Sequence, residues 1–300
     1  MNIDSIIAEL GKVVSQADIK PDEPLSRHTS IKIGGPVEAL VTPRSKEQLL
    51  EVCKTIRAFG REPIIIGNGS NILASDGRIA SIAVKTHDGL SQVTFCDDTC
   101  FAESGMLLSR LAVNAQKKGL AGLEFVYGIP GTLGGAVFMN AGAYGAEMKD
   151  VVVETEVLGA GGQVRRITDH GFSYRRSVFI ESGEIILGSK LKLTPDDPAA
   201  ILDRMNELSA RRKASQPLDV PSAGSAFKRP KEGFAAVLID EAGLKGFSIG
   251  GAQVSEKHAG FIINKGGATC DDVLSLIEHI KKTVIRVFGI ELEPEIRLIQ

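Results

Sequence analysis

The sequence has no tryptophan and only four cysteines, Cys53, Cys96, Cys100 and Cys270. Their spacing fits neither a zinc site nor a redox pair, so free thiols in a reducing cytoplasm are expected, and no metal. No apolar run approaches the roughly 20 residues needed to cross a bilayer. The opening MNIDSIIAEL lacks the basic start and long apolar core of a secretory signal. A net charge of −2 supplies no basic field for nucleic acid or an anionic membrane. Internal repeats and low-complexity segments are missing as well. What remains, 300 residues at 43% hydrophobic and 24% charged, reads as an ordinary globular chain with room for two or three subdomains.

Glycine, by contrast, is abundant in one place. GLEFVYGIPGTLGGAVFMNAGAYG, from Gly122 to Gly145, holds seven glycines and a single charged residue, Glu124. No helix or strand period persists there, yet Phe125, Val126, Ile129, Leu133, Val137, Phe138 and Met139 call for burial. Glycine loses much entropy on folding, so this density signals positive φ angles or close backbone approach. Buried irregular backbone must find partners for its amides. A large flat cofactor rich in acceptors would supply them; glycines that only let a loop pack across a core would give the same pattern.

A second glycine motif follows the short apolar strand at 63–66. Gly67-Asn68-Gly69-Ser70-Asn71 has the make-up of an anion-binding nest of successive amides, with Ser70 and Asn71 as extra donors. Ile72 stands where a dinucleotide fingerprint has its third glycine, and LASDGRIASIAV continues as turn and strand. No helix N-terminus is offered, which disfavours a nicotinamide-type Rossmann site but not a pyrophosphate held by the loop. A plain β-turn accounts for the motif equally well.

Around these motifs the chain alternates strands and helices. An amphipathic helix opens it, with Ile3, Ile6, Ile7, Leu10, Val13 and Val14 on one stripe. SRHTSIKIGGPVEALVTP suggests two short strands about Gly34-Gly35. Ser45 and Gln48 frame a helix that Gly60 closes, and this helix with its flanking strands makes a βαβ unit. Residues 106–118 form a helix with Leu107, Leu111, Val113 and Ala115 inward. Strands are expected at 151–158, 163–168 and 185–193. The proline-flanked stretch 195–198 breaks the composition and is taken as the main boundary, with Asp197 capping a helix to about Arg212. Beyond it come a helix at 234–242, strands at 247–254 and 258–264, and a helix at 271–288 ended by Gly289. The final segment, 290–299, alternates apolar and polar, with Pro294 demoting it to an edge or bulged strand. The parts are therefore 1–75 (to which 290–300 could return), 76–196 and 197–289.

Three places stand outside this patterning. Adjacent Arg175 and Arg176 after Tyr174 could clamp a carboxylate or phosphate, or form a solvated pair. Ser225 ends Ser222-Ala223-Gly224-Ser225 in a proline-flanked loop, as a proton donor or a turn residue; no G-x-S-x-G elbow surrounds it. Glu295 lies on the polar face of the last segment, where a plain surface carboxylate is the ordinary reading.

Taken in order, GNGSN, GIPGTLGGAVFMNAGAYG, SYRRS, PSAGSAFKRP and LEPEIR resemble the UDP-N-acetylenolpyruvoylglucosamine reductases of bacterial cell-wall synthesis, over about residues 24–300. The short span from Ser225 to Glu295 looks like the compact class, without the longer class's substrate-covering insertion. The resemblance implies an α+β fold: a two-part FAD-binding domain of the flavin-oxidase (PCMH) type at 1–75 and 76–196, and a C-terminal α+β substrate-binding domain at 197–289. It implies non-covalent FAD held by Gly67, Asn68, Gly69, Ser70, Asn71, Gly128, Ile129, Pro130, Gly131, Thr132, Gly134, Gly135, Asn140 and Gly142. NADPH would reduce the flavin and leave, and hydride would then pass to the enolpyruvyl methylene of UDP-N-acetylglucosamine enolpyruvate. By the family motif Arg175 polarises the substrate carboxylate, Ser225 donates the proton and Glu295 assists it. Tyr144, Lys213, Arg229 and His258 match substrate-contacting positions, although Arg229 replaces a common asparagine and His258 stands where a glutamine can occur. A cytoplasmic enzyme, monomeric or weakly homo-oligomeric, is implied. Two other functions compete with this one: another FAD-linked oxidase, many of which tether flavin through a histidine that GNGSN lacks, and a non-catalytic flavin- or nucleotide-sugar-binding regulator.

Overall fold

A computed structural model describes residues 3–87 and 89–300. The chain forms two units, one of residues 1–21, 38–68 and 81–211, the other of 22–37, 69–80 and 212–300.

The first unit holds two cores. One is built on a four-stranded sheet in the order Ile19–Pro24, Pro36–Val41, Ile79–Lys85, Ile64–Ile66. Helices Ile3–Leu10 and Lys46–Ala58 contribute Ile6, Leu10, Leu49, Val52 and Ile56 to it. Ser45 caps the second helix by accepting from the Gln48 N–H at 3.3 Å. The strands on either side of that helix do not pair as a simple βαβ unit would. Ile79–Lys85 lies between them, parallel to Ile64–Ile66, with Ile65 opposite Val84.

The other core lies under an antiparallel five-stranded sheet ordered Val164–Ile167, Val152–Leu158, Ile185–Lys192, Thr99–Glu103, Val93–Cys96. Helix Leu108–Lys117 buries Leu108, Leu111, Ala112 and Ala115, a stripe shifted from the expected one. Leu107 is extended as its N-cap and Val113 is half-buried, because the helix begins two residues later than its apolar pattern suggested. Asp197 caps Pro198–Ser215 through the Ala200 N–H, and that helix sends Ile201 and Met205 into the same core. That helix belongs, as far as residue 211, to the first unit.

In the second unit, helix Cys270–Phe288 packs Val273, Leu276, Ile280 and Val284 with Ile31, Ile33 and Leu73. The residues around Gly34-Gly35 form no strand pair. Leu25–Arg27 is a 3-10 turn, and positive φ at Lys32 (61°) and Gly34 (138°) breaks the extended run before Pro36. The sheet runs Ser222–Ser225, Phe261–Asn264, Ala252–Val254, Ser248–Ile249. The single strand expected at 247–254 is a hairpin, turned where Gly250 takes φ 52°. Thr269 and Asp272 form a capping box on the long helix, and Gly289 closes it at φ 70°. Of the last segment only Arg297–Ile299 is strand, paired parallel with Ile72–Ala74. Pro294 cannot donate to a ladder, and past it the alternation fails: Leu292 is buried while Leu298 is exposed. Among the described residues no helix is long and apolar enough to cross a membrane, and no cluster suits a metal ion.

Candidate active site

Within the first unit the two glycine motifs meet. Asn68 Nδ2 donates to the Pro130 carbonyl at 2.8 Å, and a Cβ on Gly67 would lie 2.3 Å from Thr132 Oγ1. The glycine-dense segment, expected to carry no regular element, contains the short helix Leu133–Phe138. Its first amides are spent on the protein: Leu133 donates to Met106 O and Gly134 to Ser104 O, each at 2.8 Å, while Thr132 Oγ1 accepts from Gly135. The glycines divide by purpose. A Cβ on Gly134 would lie 2.8 Å from Ser104 Cβ and one on Gly142 2.6 Å from Ala146 O, so both glycines are required by packing. Gly135 is exposed, with nothing closer than 3.6 Å to an added Cβ, and leaves the segment open on that side.

Two small hairpins rise from the same unit. Gly142–Ala143 pairs with Ala146–Glu147 across Tyr144 (φ 56°) and Gly145 (φ 88°), a turn with both central residues left-handed. Tyr144 is exposed, its hydroxyl donating to Leu208 O at 3.1 Å. In the second hairpin Ser173 and Arg176 exchange backbone bonds of 3.2 and 3.0 Å, leaving Tyr174 and Arg175 at the tip. Arg175 is left-handed at φ 55°. Its guanidinium lies 5.0 Å from the Tyr174 ring centroid, and Nη2 donates to Gly142 O at 3.1 Å. Asn140, read from the sequence as a cofactor residue, has its side-chain amide engaged by the protein. Nδ2 donates to Ser173 O and Glu147 Oε2, and Oδ1 accepts from the Lys149 N–H.

In the second unit Gly69 takes φ 63°, and a Cβ there would sit 1.9 Å from the His28 carbonyl oxygen. The glycine is thus demanded by the 28–30 segment itself. Gly69 O accepts from the Ser30 N–H at 3.0 Å, and Ser30 Oγ donates to Ser222 O at 2.6 Å. The N–H groups of Gly69, Ser70 and Asn71 reach no carbonyl among the described residues, so a run of donors stays available. Asn71, expected to offer its side chain outward, donates it to the Glu295 carbonyl at 3.2 Å.

The Ser225 strand carries a bulge. Ser222 pairs with Ile263 and Ser225 with Phe261, three residues against two, and Gly224 absorbs the extra one at φ 80°. Ser225 is left exposed. The next residue, Ala226, donates to Gly260 O (2.8 Å) and accepts from the Glu295 N–H (2.9 Å). Pro294 bridges Phe227, and the Lys228 N–H donates to Glu293 O. PSAGSAFKRP and LEPEIR are therefore laced side by side, with half-buried Glu295 one residue out of step with Ser225. His258, half-buried, accepts from the Gly260 N–H at Nδ1 (3.2 Å) and meets Phe261 edge-on at 5.0 Å. Burial, reinforced by the Lys245 charge, pushes it below the usual histidine value.

The outlying expected residues are less gathered. Lys213 is exposed, and its carbonyl accepts from Lys257 Nζ at 2.6 Å. Arg229 lies 4.0 Å over Phe234, itself 53% exposed, as a cation–π pair at the surface. Sequence reasoning missed Ser30, Phe234 and His170. The buried His170 holds Thr155 Oγ1 at 2.9 Å and stacks on Phe172, beside the Arg175 hairpin. No pattern marks such residues before the chain folds. The cysteines are free, with burial pushing Cys53 and Cys100 up to about 12 and Cys270 to about 11.

Known proteins resemble this arrangement closely. A family profile described as "UDP-N-acetylenolpyruvoylglucosamine reductase, C-terminal domain" matches residues 216–299, and one described as "FAD binding domain" matches residues 37–168. The chain is 44% identical over 292 residues to UDP-N-acetylenolpyruvoylglucosamine reductase of Clostridium perfringens (strain SM101 / Type A), covering 97% of this chain and 96% of that one. It is 46% identical over 296 residues to the same-named protein of Caldanaerobacter subterraneus, covering 98% of each. A crystal structure of UDP-N-acetylenolpyruvylglucosamine reductase from Thermus caldophilus superposes with TM-score 0.80 at 36% identity, over 93% of this chain and 98% of that one. Phl p 4.0202, a glucose dehydrogenase, superposes at 0.51 over 65% of this chain and 44% of that one; at 18% identity the two have only a fold in common.

Proposed function

The chain belongs to the UDP-N-acetylenolpyruvoylglucosamine reductase family, and on that premise we propose how its own residues divide the work. The protein is an FAD-dependent oxidoreductase that reduces UDP-N-acetylglucosamine enolpyruvate to UDP-N-acetylmuramate with NADPH, in the making of peptidoglycan precursors. When bound, FAD supplies the two-electron chemistry that links NADPH oxidation to reduction of the enolpyruvyl double bond. The unspent N–H groups of Gly69, Ser70 and Asn71 suit its pyrophosphate, and the open side at Gly135 suits close approach of a flat ring.

Reduction adds hydride to the methylene carbon and a proton to its neighbour, while negative charge develops toward the carboxylate. Arg175, always cationic and forked, binds that carboxylate and stabilises the charge. Ser225 delivers the proton. Serine is a very weak acid, so Glu295 helps by moving a proton toward the hydroxyl as it is consumed. His258, held neutral at neutral pH by burial, and exposed Tyr144, Lys213 and Arg229 serve substrate binding. The soluble nucleotide substrates suit a cytoplasmic enzyme, acting as a monomer or weak homo-oligomer.

The observation that carries this reading is the Glu295–Ala226 backbone bond, which sets a carboxylate-bearing residue beside the exposed Ser225. The protein should purify yellow and release its FAD on acid denaturation. In stopped-flow absorbance, Ser225→Ala should still be bleached by NADPH at nearly the wild-type rate. Return of absorbance on adding the enolpyruvyl substrate should slow by about 10²–10⁴-fold, with Ser225→Cys less affected. Equal slowing of both phases would make the serine structural.

A further inference from the structure

We propose that Asn140 is the positioning residue for Arg175, one buried amide fixing the hairpin that presents the guanidinium. The inference rests on the reading of Arg175 as the carboxylate-binding group. Asn140 is fully buried, and its side chain joins the bases of both hairpins. Nδ2 donates to Ser173 O at 3.0 Å, the residue that closes the Arg175 turn. The same nitrogen reaches Glu147 Oε2 at 3.1 Å, and Oδ1 accepts from the Lys149 N–H at 2.9 Å, both beside the Tyr144 turn. Arg175 in turn donates to Gly142 O within that Tyr144 hairpin. Ser177 Oγ fastens the segment after the hairpin to Phe138 O at 2.6 Å.

Backbone strain gives this linkage its importance. Asn140 (φ 43°), Tyr144 (φ 56°) and Arg175 (φ 55°) are all left-handed without being glycine. Such conformations persist only where the surroundings over-determine them. At Asn140 the residue type itself helps, since Asn tolerates that region better than most. Arginine is not a residue type that favours it, so the closing bonds of Ser173, with the Arg175 bond to Gly142 O, hold it. Without the Asn140 donor the Ser173 carbonyl keeps only the Arg176 N–H of its own turn, and nothing ties that turn to the buried amide. A misplacement of about 1 Å in a positioned group is enough to cost about 10²-fold in rate.

Asn140→Asp tests this while changing little volume. The oxygen facing Lys149 is kept, but the donor to Ser173 is lost and a carboxylate faces that of Glu147. The double variant Asn140→Asp/Glu147→Gln removes the like-charge contact, because the new amide donates to the new carboxylate, yet leaves Ser173 O with only the Arg176 N–H of its own turn. Asn140→Gly removes the amide without charge and keeps the left-handed backbone. In the FAD-loaded double and glycine variants, bleaching by NADPH should stay near wild type and KM for NADPH should not change. Reoxidation by the enolpyruvyl substrate should slow about 10²-fold, and hydrogen exchange at the amides of 174–176 should accelerate. Wild-type reoxidation in the double variant, or unchanged exchange at 174–176, overturns the proposal. Arg175→Ala separates the two readings. If it leaves the substrate phase intact, the role given to Arg175 fails, while the exchange measurement still judges the positioning.

Discussion

Arg175 in the first unit stands on a strained two-residue turn whose base is keyed by side chains, Asn140 donating to Ser173 O and Ser177 to Phe138 O, whereas Ser225 in the second unit is set by main-chain bonds running through Ala226 to Gly260 and Glu295. A position keyed by side chains depends on a few residue identities and is lost to single substitutions. A position set by a backbone ladder tolerates most side-chain changes and depends on the chain path, here on the bulge at Gly224. Their expected sensitivities are therefore opposite.

Within the first unit the largest expected effect is at the guanidinium itself. Arg175→Ala should slow the substrate phase by about 10²–10³-fold, as for loss of one preorganised donor to a developing anion, and leave NADPH bleaching unchanged. Arg175→Lys should fall between, since the charge remains but the fork is lost. On the backbone side, Gly69→Val should lower the melting temperature sharply and weaken FAD binding with it, because its Cβ meets His28 O inside the protein. Full stability with loss of FAD alone would show that the clash is relieved by local movement. Gly224→Ala meets nothing nearer than Ser70 O at 3.9 Å, so its cost is the left-handed backbone, about 1–2 kcal/mol. If the bulge sets Ser225, that variant should slow reoxidation more than it alters FAD content, as measured by flavin absorbance. Glu295→Gln should retain the wild-type melting temperature, since its anchoring bond is main-chain, and slow reoxidation less than Ser225→Ala does. A fall in stability would mean that the carboxylate, not the ladder, holds the segment.

The smallest expected effect is on stability against pH. Burial lowers the pKa of both His170 and His258 in the folded protein. The unfolded chain then binds more protons below its own histidine value of about 6.5, so stability is lost as pH falls through that value toward the folded pKa. Melting temperature measured from pH 7.5 to 5 should decline, and His170→Gln should flatten the decline. An unchanged slope would remove His170 from the account.

Much of this was legible in the residues. Caps at Ser45 and Asp197 and the closing Gly289 place helices because they satisfy bonds within a few residues of chain. Five ordered motifs were enough to indicate the family, and relatives of 44–46% identity over nearly the whole chain agree. The candidate site was legible as residue types but not as an arrangement. Ser30, His170 and Phe234 carried no signal, since each matters through a neighbour that only folding brings to it.

What the sequence determined by itself is whatever local chemistry decides: where helices start and stop, which strands alternate, and which short motifs carry donors. Only the tertiary structure decided that Gly69 yields to His28, that Asn71 turns to Glu295, that the final alternation ends at Pro294, and that Asn140 serves a hairpin. The reason is physical. A buried amide or carbonyl must be satisfied by whatever group folding brings to it, and which group that is depends on packing between distant segments, not on spacing along the chain.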